Sequence, residues 1–153
     1  MYIAGTEYSL KHRAFEIYVA GCNEPHCPGC HNPELWDFKV GDKFIAKTID
    51  QLIDKIQNAD NMVENIWILG GEPLDQPLLF DLVTMARALR FSTQKPIWLF
   101  TRYELDEIDP DVASNFDYIK TGRYLRDEQS NHVEHGVTLA TANQHIRIRG
   151  IDF

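Results

Sequence analysis

Three cysteines crowd into one short stretch of the chain, residues 21 to 36 (GCNEPHCPGCHNPELW), together with two of the six histidines. Whatever the chain folds into has to present that stretch as a loop with its thiols free to converge. Cys22, Cys27 and Cys30 follow a C-x4-C-x2-C spacing, and three thiolates on one irregular loop suit a single soft metal centre. Two centres satisfy them. One is a tetrahedral zinc that takes His26 or His31 as its fourth ligand. The other is a four-iron cluster in which one iron has no protein ligand, because the chain has no fourth cysteine. An open iron is what a cluster needs to act on a bound molecule rather than only pass electrons.

The rest of the chain tilts the balance toward the cluster. Small zinc modules use metal because their core is too small without it. This chain has 153 residues, 44 % of them apolar and 25 % charged, enough for one domain, residues 1–153, with a hydrophobic core of its own. The odd cysteine count argues against a disulfide framework and for reduced thiols. No apolar run is long enough to span a bilayer, and MYIAGTEYSLKHRAF lacks the basic-then-apolar order of a signal peptide, so a cytoplasmic protein away from the membrane is expected. The net charge of -8 disfavours nucleic acid, whose binders usually present a basic face. A protein or small-molecule partner fits better.

Residues 2 to 13 carry no strong period, and no role is assigned to them. Residues 14 to 21 (AFEIYVAG) are aromatic and β-branched and stop at a glycine, the signature of a buried strand. The cysteine loop therefore begins at a strand's C-terminal end, the edge where parallel α/β sheets carry their reactive loops. Residues 46 to 57 place Ile49, Leu52, Ile53 and Ile56 at helical spacing. Residues 62 to 69 (MVENIWIL) form a second buried strand that runs into Gly70-Gly71-Glu72-Pro73. Residues 77 to 90 predict a second amphipathic helix, and residues 96 to 100 a third strand. Residues 101 to 115 read as a short helix or turn, with the acidic run 104 to 111 as a solvated face and cap. FDYIKTG, residues 116 to 122, is a fourth strand, and residues 137 to 148 could close the sheet. The alternation is that of an α/β fold.

Gly70 and Gly71 let backbone approach a ligand closely, and Glu72 adds a carboxylate able to receive an ammonium group. A cysteine loop after the first strand and this turn after the second would share one sheet edge. Together they resemble the radical S-adenosylmethionine superfamily, in which the thiol loop holds a 4Fe-4S cluster and a GGEP-type turn binds the methionyl amine. The run GCNEPHCPGCHNPELW, the turn GGEPLDQP, the segment FDYIKTGRY and the tail ANQHIRI, in that order, are similar to one family within it, the activating enzymes of anaerobic, glycyl-radical ribonucleotide reductases. The spacing departs from the superfamily's usual C-x3-C-x2-C by one residue, at most about 3.6 Å of chain, which a bulged loop can absorb. Gly29 stands where many members carry an aromatic residue, but Pro28-Gly29 is similar to the reductase activases.

The resemblance implies an α/β fold, a partial, laterally open (β/α) barrel of the radical SAM type with about four to six mostly parallel strands. It implies Cys22, Cys27 and Cys30 as ligands of a 4Fe-4S cluster, and Gly29, Cys30, His31, Gly70, Gly71, Glu72, Pro73 and Thr101 as the S-adenosylmethionine site. Catalysis would rest on cluster and cofactor, with no further catalytic residue. The implied partners are the large catalytic subunit of anaerobic ribonucleotide reductase and an electron donor such as flavodoxin. Two other functions stay open at this point: a small radical enzyme acting on a free metabolite, such as a deazaguanine-forming synthase, and a noncatalytic zinc-binding interaction domain. Arg102 is a weaker cofactor contact than Thr101. His12, His132, His135 and His145 are expected as surface or loop histidines, since none pairs with a second ligand at a usual metal spacing. Trp36, Trp67 and Trp98 are expected in core or rim packing.

Overall fold

A computed structural model describes residues 1–153. The chain opens with β1, Tyr2–Ser9, and turns directly into β2, Ala14–Val19. After the cysteine loop come β3, Asp42–Lys43, and α1, Ala46–Asn58. Then follow β4, Asn65–Gly70, α2, Leu79–Thr93, β5, Ile97–Phe100, the one-turn α3, Pro110–Ala113, and β6, Tyr118–Thr121. A polar strap carries the short hairpin of β7, Val133–Glu134, and β8, Val137–Thr138, before β9, His145–Ile148.

The strands after residues 14, 62, 96 and 116 and the helices after residues 46 and 77 all form where the hydrophobic pattern puts them. Successive residues of the strands point to opposite faces of the sheet. Ile66 and Ile68 of β4 and Ile97 and Leu99 of β5 face one way, into a cluster with Leu52 and Ile56 of α1 and Leu82, Met85, Ala86 and Leu89 of α2. Trp67 and Trp98, on the intervening positions, face the other way, against Val137, Leu139 and Ile146. Both tryptophans are packed as expected, whereas Trp36 is 36 % exposed.

The expected partial (β/α) barrel of four to six mostly parallel strands is overturned. The main sheet has seven strands in the order β3-β1-β2-β4-β5-β6-β9, and only β2, β4, β5 and β6 are mutually parallel. Strands β1, β3 and β9 are antiparallel to their neighbours, with only three α-helices against this sheet. The physical reason lies in the connections. A parallel neighbour needs a crossover of about a dozen residues or more, but only residues 10 to 13 separate β1 from β2, so that pair has to be a hairpin. At the other end β9 returns from the strap in the opposite sense to β6. The result is an open mixed sheet.

Candidate iron-sulfur and cofactor site

Strands β2 and β4 pair in parallel register, with Val19 opposite Gly70, so the loops leaving them emerge side by side. The cysteine loop is tied at both ends: Gly21 N–H donates to Leu35 O at 2.8 Å and Cys22 N–H to Trp36 O at 3.2 Å. The glycine turn is laced to the same place, with Gly71 N–H on Val19 O at 2.8 Å and Glu72 N–H on Gly21 O at 2.7 Å. Approach this close is what demands glycine. A β-carbon on residue 71 would stand 2.3 Å from Gly21 O and 2.9 Å from Leu35 O, inside van der Waals contact with backbone that cannot swing away.

Glu72 is buried, 2 % exposed. Its Oε1 accepts from Thr101 Oγ1 at 2.7 Å and Leu74 N at 3.1 Å, and its Oε2 from Arg102 N at 2.8 Å. Burial pushes its carboxyl above the usual range, against the pull of those donors. A carboxylate offers about four lone-pair sites; three donors leave one for a ligand.

Arg102 binds the two loops together. Its Nη1 donates to Asn23 O and Pro25 O, each at 2.9 Å, and its Nη2 to Asp75 Oδ2 at 2.9 Å. Asp75 in turn accepts from Asn23 N–H at 2.6 Å and from the Tyr103 hydroxyl at 2.6 Å. The ion pair is nearly dry, with side chains 9 % and 1 % exposed. Lys120 of β6, on the same cavity as the thiols, donates from Nζ to Gly122 O at 2.8 Å. Burial lowers its ammonium to about 8, partly offset by Glu72 and Cys27.

These groups surround one cavity of about 250 Å³ whose wall includes Cys22, Cys27, Cys30, Glu72, Thr101 and Lys120. Gly70 and Gly71 complete the sequence-expected part of that wall, and Arg102, Asn32, Trp36, Tyr124 and Gln144 join it. Gly29, His31 and Pro73 lie outside it: Gly29 and His31 are exposed on the loop's outer side, and Pro73 is buried beneath the turn. His26 does not turn toward the thiols; its ring stacks on Trp36 with centroids 3.8 Å apart, and its Nε2 meets Cys22 O at 3.0 Å.

Sequence reasoning passed over Lys120 and Asp75. Lys120 had a readable signal, a lysine inside an otherwise apolar strand pattern running into Gly122. Asp75 had none, because its partners come from residues 23, 102 and 103.

The donor set fits an iron-sulfur cluster. All three thiols are free and line the same cavity, and three thiolates around one pocket supply the soft ligands that such a cluster takes. Burial pushes the Cys22 thiol up to about 11, against the pull of Arg102, so metal binding there must displace a proton.

Comparison with known proteins agrees with this chemistry. The chain is 29 % identical to the anaerobic ribonucleoside-triphosphate reductase-activating protein of Escherichia coli (strain K12), over 72 % of this chain and 74 % of that protein. The protein of the same name from Haemophilus influenzae is 29 % identical over 73 % of this chain and 74 % of its own length. That of Enterobacteria phage T4 is 29 % identical over 71 % and 69 %. The relatives thus bear the activity to which the cysteine loop and glycine turn point. Residues 12–147 match the family model described as a 4Fe-4S single cluster domain, and the chain belongs to that family.

Proposed function

We propose that the chain is a radical S-adenosylmethionine activase that generates a glycyl radical on the large catalytic subunit of anaerobic ribonucleotide reductase. The observation that carries this reading is the single cavity in which three free thiols face Glu72 and Lys120. Cys22, Cys27 and Cys30 hold the cluster. Glu72, with one lone-pair site left, receives the ammonium of the methionyl group, and its hydrogen bonds keep Thr101 and the Arg102 backbone at the rim. Lys120 has no carboxylate within ion-pair distance and is the cation for the methionyl carboxylate. The Gly70-Gly71 backbone lets the cofactor lie close against the end of β4. When bound, cluster and cofactor would supply one-electron reductive cleavage of the sulfur to C5′ bond and, through it, hydrogen-atom abstraction from the target glycine.

The open sheet leaves the cavity without a second enclosing half, which suits a glycine-bearing loop of a protein substrate better than a free metabolite. A soluble one-electron donor such as flavodoxin, in a cytoplasmic setting, completes the reading. It is tested by anaerobic reconstitution with iron and sulfide and electron paramagnetic resonance of the reduced protein. A 4Fe-4S signal should change on addition of S-adenosylmethionine, vanish in Cys27→Ala, and be followed by a glycyl-radical signal once the reductase is added. Bound zinc with no such signal, or cofactor cleavage that leaves no glycyl radical on the reductase, would sink it.

A further inference from the structure

The strap between β6 and β9 gathers three ligating side chains that the thiol cavity does not use. His132 precedes β7, Glu134 lies on it, and His145 begins β9. Their nearest ligand atoms all fall within 4.8 Å of one another. His145 Nδ1 is 3.0 Å from Glu134 Oε1, and His132 Nε2 is 3.6 Å from the same oxygen. Ligand atoms around one tetrahedral cation with bonds of about 2.0–2.2 Å stand about 3.3 Å apart. The two observed separations bracket that value, so a cation needs little rebuilding of the side chains.

The outer contacts have the form that metal sites use to orient their ligands. Ser130 Oγ lies 3.0 Å from His132 Nδ1, the ring nitrogen pointing away from the cluster of ligand atoms. Ile146 N–H donates to Glu134 Oε2 at 2.7 Å, which fixes the carboxylate and leaves Oε1 for the cation. The three side chains are only partly exposed, 31 %, 28 % and 42 %. His132 and His145, expected as surface or loop histidines because neither pairs with a second ligand at a usual metal spacing along the chain, come together with Glu134 because β9 returns across the strap.

We propose that His132 Nε2, Glu134 Oε1 and His145 Nδ1 bind one divalent cation of the zinc class, clipping the strap to the sheet edge. The proposal is independent of the cluster and of the activase reading. Without the cation, His132 Nε2–H donates to Gln144 O, 3.1 Å away, and Nδ1 accepts from Ser130. On binding, the ring takes the other tautomer: Nδ1–H donates to Ser130 Oγ and the Nε2 lone pair faces the cation. The Gln144 carbonyl, released from that bond and already at ligand-to-ligand distance from Nε2, is then free to approach as the fourth ligand. Gln144 also lines the thiol cavity, so the clip fixes one wall of it.

Free thiols can also take zinc, so the test removes or fills them. The full chain with Cys22, Cys27 and Cys30 all changed to Ala, and separately the cluster-loaded chain, are given Zn²⁺, desalted and analysed for metal. One zinc per chain should remain in both. Zn²⁺ should raise the thermal midpoint of the cysteine-free chain, and Co²⁺ in its place should give a four-coordinate spectrum without sulfur-to-metal charge transfer. Glu134→Gln and His145→Ala should weaken binding at least about tenfold, and Ser130→Ala by about 10- to 100-fold through the tautomer it holds. Glu134→Gln keeps the side chain's shape, so it serves where a histidine variant unfolds. No zinc retained once the cysteines are removed, or undiminished affinity in Glu134→Gln, overturns the proposal.

Discussion

Arg102 reaches from the end of β5 to two carbonyls of the cysteine loop and to the buried carboxylate of Asp75. Truncating it strands Asp75, whose side chain is 1 % exposed, as a buried charge without its cation, a loss of about 3–5 kcal/mol. Arg102→Ala should therefore lower the urea midpoint of the cluster-free chain sharply and reduce the iron retained on reconstitution. Arg102→Lys should recover part of the stability but little of the iron, because one ammonium cannot span two carbonyls and a carboxylate as the planar fork does. If Lys restores both, Arg102 acts through its charge alone. The same residue shows where the site was legible. Cysteines at a metal spacing and glycines ahead of a carboxylate announce themselves along the chain, whereas Asp75 matters through Asn23, Arg102 and Tyr103, which reach it from other stretches of chain. His31 looked close to the thiols because it follows Cys30, but the loop turns it outward.

At the scale of elements, Asp117, just before β6, joins four pieces of chain. It accepts from Arg90 of α2 through both oxygens at 2.9 Å, from Ile97 N–H of β5 at 2.9 Å, and from Arg149 beyond β9 at 2.6 Å. Burial alone would raise its carboxyl; the Arg90 and Ile97 hydrogen bonds and the two guanidinium charges outweigh that and hold it below its ordinary 3.8. Between the two values the unfolded chain binds more protons than the folded one, so stability rises with pH there. The contribution is complete above the ordinary value and is lost as pH falls through the folded-state value. Acid unfolding followed by circular dichroism should show this loss below about pH 4 in the native chain, and a shallower one in Asp117→Asn; equal slopes would refute the assignment. The element scale is also where reading the sequence went furthest and then failed. The parallel core of β2, β4, β5 and β6 was visible as short β-branched and aromatic runs, with β4 and β5 buried on both faces, and the helices α1 and α2 because burial on one face imposes a helical period. Strand β1 was not, because as a half-exposed strand with Gly5 in its middle it alternates weakly. Without β1, nothing in the pattern forbids a barrel.

Across the whole molecule, one sheet carries two unequal layers. The helices cover one face over a large apolar cluster, and the hairpin of β7 and β8 covers a smaller aromatic cluster on the other. The thiol cavity sits where the parallel strands end, drawing Leu69 and Phe100 from the aromatic face and Gln144 from the strap, so its shape depends on that cover as well as on the strands. Because adjacent residues of β4 and β5 serve opposite faces, neither layer can separate from the sheet without disturbing strands the other needs. The two layers should therefore unfold together. In urea, the fluorescence of the cluster-free chain, with Trp67 and Trp98 on the aromatic face, should change at the same midpoint as the far-ultraviolet helix signal. Leu89→Ala, on the fully buried side of α2, should cost about 2–5 kcal/mol and move both midpoints equally, although Leu89 lies on the face opposite both tryptophans. A helix signal that falls first, with the tryptophan signal left at the native midpoint, would mean that the helical layer detaches from a persisting sheet. The cavity would then owe its shape to the strands and the strap alone.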